Sequence, residues 1–386
     1  MAPGISKAGL LGVALGAGSL LLADFVEVRP NRLAPGEGWS LFEALSLPVW
    51  VLLILGWAYL GAASCTVRPV VRRLGMGMVL VLGLAELWAV GHAAQTILAD
   101  APAFARVSLG PGFWVSLLGL FVAFTNLAGN GAASSRLSKA LLLIFVLGCA
   151  LLMALGALGQ LSLMMELANR SQRFLAELRD HLFITFASVG SSALLGIPLG
   201  VAVYRRAGLR RQVFFLVNIV QTIPSLAMFG LLITPLALLS QKYPLLRDLG
   251  VRGIGWAPAV IALALYALLP IVRNTFTGFA AVDRAMVEAG QGMGMSRLQV
   301  FRRVELPVAL PIVLNGLRIA CVQNIGNTAV AALIGAGGFG VFIFQGLGQS
   351  AIDLVLLGAI PTILIAVLAD SLLQTSIHLL TPRGLR

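Results

Sequence analysis

The sequence predicts an all-α, polytopic membrane protein with about ten transmembrane helices. Three observations support this fold class: 59% of the 386 residues are hydrophobic, only 11% are charged, and the mean hydropathy is +0.96. Soluble domains carry about 25% charged residues, so a soluble fold of this composition would leave much of its apolar surface in water. The composition therefore excludes a soluble enzyme, a secreted disulfide scaffold and a disordered protein.

Ten segments with few or no charges approach the length of about 20 residues that a helix needs to cross a bilayer. They are residues 8–23, 44–67, 74–99, 107–135, 140–165, 182–204, 212–241, 253–272, 306–334 and 352–380. The first segment is short and could be taken for a signal peptide. Its end, Leu21-Leu22-Ala23, lacks a small-x-small cleavage site, so we expect a retained membrane anchor.

The loops between these segments account for the net charge of +12. If the N-terminus is inside, most basic residues fall in cytoplasmic loops, as is usual for membrane proteins. These residues are Lys7, Arg68, Arg72, Arg73, Arg136, Lys139, Arg205, Arg206, Arg210, Arg211, Arg284, Arg297, Arg302, Arg303, Arg383 and Arg386. The asymmetry predicts that both termini are cytoplasmic. No basic patch interleaved with aromatic residues points to nucleic acid.

The polar stretch 166–180 predicts a division of the chain into two parts. Its apolar residues Leu167, Phe174, Leu175 and Leu178 fit an amphipathic helix on the membrane surface. We expect an accessory N-terminal region of five spans over 1–165, a connector over 166–180, and a C-terminal core of five spans over 181–386.

Catalytic motifs are missing from the sequence. The three histidines are far apart, no Gly-x-Ser-x-Gly elbow occurs, and no phosphate-binding loop is present, so the chain cannot hydrolyse ATP by a P-loop mechanism. The stretch from Gly335 to Gly340 matches Gly-x-Gly-x-x-Gly formally, but it lies between two membrane helices. A closely packed turn is favoured there over a dinucleotide site. The three cysteines fall in apolar stretches and predict no metal site.

The long cytoplasmic loop before the ninth span, residues 281–307, carries the strongest functional signal. We predict a short helix from Asp283 that Gly290, Gly292 and Gly294 break. Ser296 is expected to cap a second helix, with Leu298, Phe301 and Val304 at three-residue spacing and Pro307 at its end. Exposed methionine, leucine and phenylalanine side chains would be costly in an idle loop, so this pattern predicts a docking surface for a cytoplasmic protein.

The same loop resembles the EAA loop of the permease subunits of bacterial ABC importers. The pattern is Glu-Ala-Ala or Gly, three residues, Gly, nine residues, an aliphatic residue, one residue and Leu-Pro. Its members here are Glu288, Ala289, Gly290, Gly294, Val304, Leu306 and Pro307. Flanking stretches, including Thr222-Ile-Pro224-Ser225 and Tyr266-Ala-Leu-Leu-Pro270, are similar to permeases for glycine betaine, choline and related osmoprotectants. The resemblance covers about residues 175–386, and most relatives lack the N-terminal spans.

The resemblance implies a five-helix type I (MetI-like) importer core in the bacterial inner membrane, which imports its solute by alternating access. ATP and Mg²⁺ would be bound by separate cytoplasmic ATPase subunits, and this chain would hold no cofactor. The other implied partners are a second permease core, identical or homologous, and a periplasmic or tethered solute-binding protein. The helices around Glu288 and Phe301 would act as a lever with bends at the glycines. Glu288 would pair with Arg284 or with a basic residue of the ATPase.

Three ionisable residues lie inside predicted spans, where they are costly and suggest function or pairing. Arg318 and Asp370 lie at similar depth from the cytoplasmic ends of their helices, which predicts a structural ion pair. A solvated cavity and headgroup snorkelling are the alternatives. Glu86 stands alone; His92 is six residues away and on a different helical face, so no partner is assigned to Glu86.

Polar residues near helix-breaking prolines are candidates for the translocation pathway. Pro224, Pro235 and Pro270 open helical backbone, which a membrane tolerates only against protein or water. The candidates are Gln221, Thr222, Pro224, Ser225, Tyr266, Asn274, Asn324 and Asn327. For each polar residue taken alone an interhelical hydrogen bond is favoured, and for Tyr266 alone packing is favoured; the pathway prediction applies to the residues as a set. As an aromatic face, Tyr266 would suit a quaternary ammonium ion.

The predicted function is thus the permease subunit of an ATP-driven importer of glycine betaine or a related osmoprotectant. An importer of amino acids or phosphonates is the alternative within transport. An integral-membrane lipid-modifying enzyme would need His, Asp or Cys groups converging at one membrane face, and none is evident. A structural scaffold would not explain the EAA pattern.

Overall fold

The computed structural model describes residues 6–32, 34–128 and 132–381, without the side chains of 132–136 and 139. Arg383 and Arg386 of the predicted basic tail, and the side chains of Arg136 and Lys139, lie outside this description. The helices are α1 Lys7–Leu22, α2 Leu41–Ala44, α3 Leu47–Ser64, α4 Pro69–Ala99, α5 Pro111–Ala128, α6 Ala132–Ala154, α7 Ser162–Asn169, α8 Ser171–Arg205, α9 Ala207–Thr222, α10 Ser225–Lys242, α11 Pro244–Asp248, α12 Trp256–Ala280, α13 Arg284–Gly292, α14 Arg297–Val300, α15 Leu306–Ala331, α16 Gly340–Gly348 and α17 Ile352–Leu380.

The all-α, polytopic prediction is confirmed, with a difference in the lengths of the spans. Within the described residues, eight helical segments are long and apolar enough to cross a membrane. The other two predicted spans coincide with shorter apolar helices, α1 and residues Ala140–Ala154 of α6. The predicted span 212–241 consists of two helices, α9 and α10, because the chain is extended at Ile223 and Pro224. Proline disfavours a helical conformation in the residue before it, which explains this break.

A small antiparallel sheet in the first unit was not predicted. Strands β1 Val26–Arg29, β2 Glu37–Trp39 and β3 Arg106–Leu109 pair in the order β2-β1-β3. The strands come from two interhelical segments about 70 residues apart in the chain. In the sequence, the only local pattern that indicates a strand here is the alternation of Val26 and Val28 with charged residues. On β1, Glu27 and Arg29 share a face, and their side chains form an ion pair of 3.1 Å.

The chain divides into two compact units, an N-terminal unit that ends at Asn169 and a C-terminal unit that begins at Arg170. The predicted connector over 166–180 is not a separate element. Its first residues end α7, and residues 171–180 form the first turns of the 35-residue helix α8.

The N-terminal unit buries the one acidic residue that the sequence left without a partner. The Glu86 carboxylate accepts hydrogen bonds from Trp57 Nε1 at 2.9 Å and from Ser116 Oγ at 2.7 Å, and all three residues are fully buried. His92 instead stacks on Trp88, with ring centroids 5.1 Å apart. Glu86 therefore connects α3, α4 and α5 through neutral donors, which satisfies both of its oxygens without a cation.

Candidate functional site

The candidate site centres on the loop between α12 and α15, which the sequence predicts to be cytoplasmic. Asp283 caps α13 by accepting a hydrogen bond from the Ala285 amide at 2.9 Å. The predicted break at Gly290 and Gly292 is wrong, because both residues are helical and Gly290 is buried beside Val300 and Val304. The chain turns at Gly294 alone, whose φ of +82° lies in the left-handed region.

The second half of the loop begins as predicted and ends differently. Ser296 and Gln299 form a capping box, in which Gln299 Oε1 accepts from the Ser296 amide at 2.8 Å. The predicted end at Pro307 is wrong. α14 continues through a π-helical turn, Phe301–Glu305, into α15, and Pro307 lies in the first turn of α15. Proline lacks an amide hydrogen, and it is tolerated in the first turn of a helix.

One side of this loop is anchored to the membrane helices. The Phe301 ring stacks on Phe279 of α12, with centroids 5.5 Å apart and planes 2° from parallel. Glu305 is 1% exposed and forms an ion pair with Arg205 at the end of α8. The Arg205 guanidinium also lies 5.9 Å from the Phe301 ring centroid. The loop is therefore continuous with α15 and in contact with the ends of α8 and α12.

The other side of the loop is exposed and partly apolar. Met286, Met293 and Leu298 are 45%, 72% and 58% exposed, and Glu288 and Ala289 of the EAA motif are exposed too. Within the described residues, no hydrogen bond or ion pair joins Glu288 to Arg284. We call Met286, Glu288, Ala289, Met293 and Leu298 the coupling surface. Such an apolar patch with a charged rim is typical of a protein–protein contact.

Sequence reasoning missed Arg205 and Glu305, which fix this loop to the membrane helices. The two residues are 100 positions apart in the chain, and the sequence identifies Arg205 only as one of the loop charges. Glu305 is flanked by Val304 and Leu306 of the motif, and a charge between two motif residues was the only available signal.

The candidate pathway residues do not converge into one site. Gln221 Nε2 donates to the Tyr266 carbonyl at 2.8 Å, and the Tyr266 hydroxyl donates to the Ile223 carbonyl at 2.6 Å. These bonds join the break between α9 and α10 to α12, next to Pro224 and Ser225. Thr222 Oγ donates within its own helix, to Ile219. Tyr266 is 5% exposed and packs in an apolar cluster, so its ring offers no open face.

The three candidate asparagines have different surroundings. Asn324 is fully buried, and its Nδ2 donates to Ser188 Oγ at 2.9 Å and to the Leu263 carbonyl at 3.1 Å. Asn324 therefore links α8, α12 and α15. Asn274 Nδ2 donates within its own helix, to the Pro270 carbonyl at 2.8 Å. Asn327 is partly exposed. Hydrogen bonds between or within helices satisfy the side-chain nitrogens of Asn324 and Asn274, whereas Asn324 Oδ1 is buried without a hydrogen-bond partner among the described residues.

Arg318 and Asp370 form a bidentate pair between α15 and α17. Arg318 Nε lies 2.5 Å from Asp370 Oδ1, and a terminal guanidinium nitrogen lies 2.8 Å from Oδ2. The side chains are 27% and 35% exposed. A parallel arrangement of two N–H donors on one carboxylate has the geometry of a strong, oriented ion pair. Elsewhere, the described residues contain no group of three His, Cys, Asp or Glu side chains that would hold a metal ion.

Two parts of the chain, one in each unit, match models of known protein families. Residues 192–382 match the model of the family "binding-protein-dependent transport system inner membrane component". Residues 6–164 match the model "ABC transporter permease YehY, N-terminal domain".

Curated relatives match about half of this chain. The osmoprotectant import permease protein OsmW of Salmonella typhimurium is 42% identical over 207 residues, which are 54% of this chain and 91% of OsmW. The glycine betaine/carnitine/choline transport system permease protein OpuCD of Bacillus subtilis is 41% identical over 51% of this chain and 79% of its own length. A chain of the MetNI methionine ABC transporter, solved in an inward-facing conformation, is 24% identical over 55% of this chain and 99% of its own, with a TM-score of 0.48. The identity to OsmW over nearly its whole length shows that this chain belongs to the inner membrane permeases of binding-protein-dependent ABC importers.

Proposed function

We propose that this permease imports a small osmoprotectant of the glycine betaine and choline class. The observation that carries this proposal is the identity of 42% to OsmW and 41% to OpuCD, whose names state that class of solute. As a permease of an ABC importer, the chain is a multi-pass inner membrane protein whose ATPase is a separate subunit. In this proposal both termini are cytoplasmic, two permease cores form the pathway, and a periplasmic or tethered binding protein delivers the solute.

The coupling surface is proposed to receive the ATPase. Its exposed Met286, Met293 and Leu298 would be buried by that contact, and Glu288 would meet a basic group of the ATPase. The stack of Phe301 on Phe279 and the pair of Glu305 with Arg205 would then carry the movement into the membrane helices. The rigid part is thus the continuous α14–α15 segment, and the bend lies at Gly294. The N-terminal unit is proposed to be accessory to this core.

A substitution of Gly294 tests the coupling role. Gly294→Val places a β-branched residue at a φ of +82°, which L-residues rarely adopt, so the turn before Ser296 should change. We expect uptake of radiolabelled glycine betaine by the assembled transporter to fall at least tenfold, while the ATPase subunits continue to hydrolyse ATP. Gly292→Ala is the matched control, because Gly292 is helical and a methyl group there meets no neighbouring atom within 4 Å. Unchanged uptake by Gly294→Val contradicts the coupling role.

The class of solute is tested separately. Cells that lack other betaine systems and express the complete transporter should accumulate labelled glycine betaine or choline in an ATP-dependent way. An amino acid of similar size serves as the comparison solute. Uptake of the amino acid without uptake of either quaternary ammonium compound contradicts the proposed class and leaves the permease function intact.

A further inference from the structure

A cavity of about 590 Å³ opens in the C-terminal unit, far in sequence from the coupling surface. Its walls come from the first turns of α8, the segment before α12, and the glycine-rich turn after α15. Six of its lining residues matter for the argument: Arg179, Asp180, Phe183, Arg252, Trp256 and Gly335. In the proposed topology these three segments lie on the outer side of the membrane, where the solute arrives.

The cavity combines aromatic rings with charges of both signs. The rings of Phe183 and Trp256 meet edge to face, with centroids 5.7 Å apart. Asp180 supplies a carboxylate, and Arg179 and Arg252 supply two guanidinium groups. Within the described residues, no ion pair joins either arginine to Asp180. The charges of this cavity are therefore available to a ligand.

The glycine-rich turn keeps these walls together. The Phe339 amide donates to His181 Nδ1 at 3.3 Å, which joins this turn to α8. A Cβ atom on Gly337 would lie 2.8 Å from Asp180 Oδ2, so only glycine leaves room for that carboxylate. The Gly255 amide donates to the Ile334 carbonyl at 2.9 Å, which ties the segment before Trp256 to the same turn.

We propose that this cavity binds a zwitterion that carries a quaternary ammonium and a carboxylate group. Quaternary ammonium ions favour the faces of tryptophan and other aromatic rings, and Asp180 adds a negative charge beside them. Guanidinium groups bind carboxylates through paired N–H donors, which assigns Arg179 and Arg252 to the other end of the ligand. The volume falls within the range of small-molecule sites. The inference rests on the proposed function and adds to it a receiving site on the permease itself.

The test is binding of labelled glycine betaine to the purified permease, reconstituted in lipid without ATPase or binding protein. Trp256→Leu is expected to weaken binding about tenfold, because it removes the cation–π contact, and Trp256→Phe is expected to keep most of the affinity. Arg247→Gln is the matched control for charge, because Arg247 follows α10 in the same outer region but does not line the cavity.

Choline separates the two ends of the site, because it carries the quaternary ammonium without the carboxylate. Arg179→Gln with Arg252→Gln should weaken glycine betaine binding about tenfold and leave choline binding unchanged. Asp180→Asn should weaken both ligands. Thermal unfolding of each variant verifies that it is folded.

The two proposals fail in different ways. If wild-type permease does not bind either ligand, or if all the variants bind as wild type does, the cavity is not the site, whereas uptake by the complete transporter still supports the proposed function. If the complete transporter takes up neither compound, the proposed function fails. Choline binding that falls as much as glycine betaine binding in the double arginine variant overturns the assignment of the arginines to the carboxylate.

Discussion

The two units of this chain are packed in different ways, although both consist of apolar membrane helices. In the described part of the N-terminal unit, one large cluster of buried apolar side chains extends from Leu20 on α1 to Leu161. In the C-terminal unit, the described residues form several smaller clusters, around Tyr266, Phe279, Ile271 and Ile325. The apolar core of the first unit is continuous, whereas that of the second unit is divided into smaller clusters.

Glycines bring the helices of the N-terminal unit into backbone contact. A Cβ atom on Gly12 or Gly119 would lie within 3 Å of backbone atoms of the facing helix, and one on Gly16 would overlap the ring of Trp57. Small residues at helix contacts allow this close approach in membranes. Such a core leaves little room for helices to move relative to each other.

Polar side chains join the clusters of the C-terminal unit. Asn324 bonds to Ser188 and to the Leu263 carbonyl, Thr185 and Thr328 share a hydrogen bond of 3.0 Å, and Ser192 donates to the Ala264 carbonyl. Each of these is worth only about 0.6 kcal/mol on average in a membrane. The comparison shows that apolar packing dominates the first unit, whereas in the second unit individually weak polar bonds join small apolar clusters.

The largest effect is expected where the continuous core is overfilled. Gly16→Leu forces a side chain into Trp57, which is fully buried, and should lower the free energy of unfolding by about 3 kcal/mol. Gly18→Leu is the control, because it lies on the same helix and a Cβ there meets nothing within 4 Å. Thermal unfolding in detergent measures both. Equal stability of the two variants would contradict a tightly packed core.

The next largest loss of stability is expected at Glu305, the buried acid at the end of the loop between α12 and α15. Arg205→Leu leaves Glu305 buried without its cation and should cost about 2 kcal/mol, whereas Glu305→Gln leaves the half-exposed Arg205 to water and should cost less. Unfolding midpoints of the two single variants give this order. The reverse order would show that burial of Glu305 does not determine the energy of the pair.

A smaller effect is expected from the polar link between the clusters of the C-terminal unit. Asn324→Ala removes two hydrogen bonds to α8 and α12 and should cost about 1 kcal/mol. Asn327→Ala on the same helix is the control, since Asn327 is partly exposed. If both substitutions have the same effect on thermal unfolding, Asn324 is not a link between clusters.

The smallest losses of stability are expected at the ionisable residues inside the membrane helices of the two units. Asp370→Asn should cost about 0.5 kcal/mol, because it leaves Arg318 unpaired but partly exposed, and exchanging the two residues should restore part of the loss. Glu86→Gln should change stability less, because Glu86 faces neutral donors and no cation. Unfolding midpoints of the three variants test this order. A charge exchange that restores nothing would mean that the pair does not stabilise α15 against α17.

The loop between α12 and α15 illustrates how much of the site could be predicted from the sequence. The cap at Ser296, the start at Asp283 and the exposed apolar side chains follow from residue types and their spacing. The end of the second helix could not be predicted from Pro307. Proline can end a helix, but it is also common in the first turn of a new one, and here it lies in the first turn of α15. Gly290 and Gly292 are permissive in a turn but are equally compatible with a helix when neighbours pack against it.

By itself, the sequence determined which segments are apolar enough to span a membrane, which charges lie between those segments, and which loop carries the EAA pattern. These features are local, because they depend on runs of apolar residues and on caps that bond to neighbours a few residues away. Only the tertiary structure decided the partners of Glu86 and Glu305, the pairing of the three strands, and the cavity that brings Trp256 and Asp180 together. Those contacts join residues from 9 to 100 positions apart. Most of them depend on how each helix is rotated about its axis, which hydrophobicity alone does not fix.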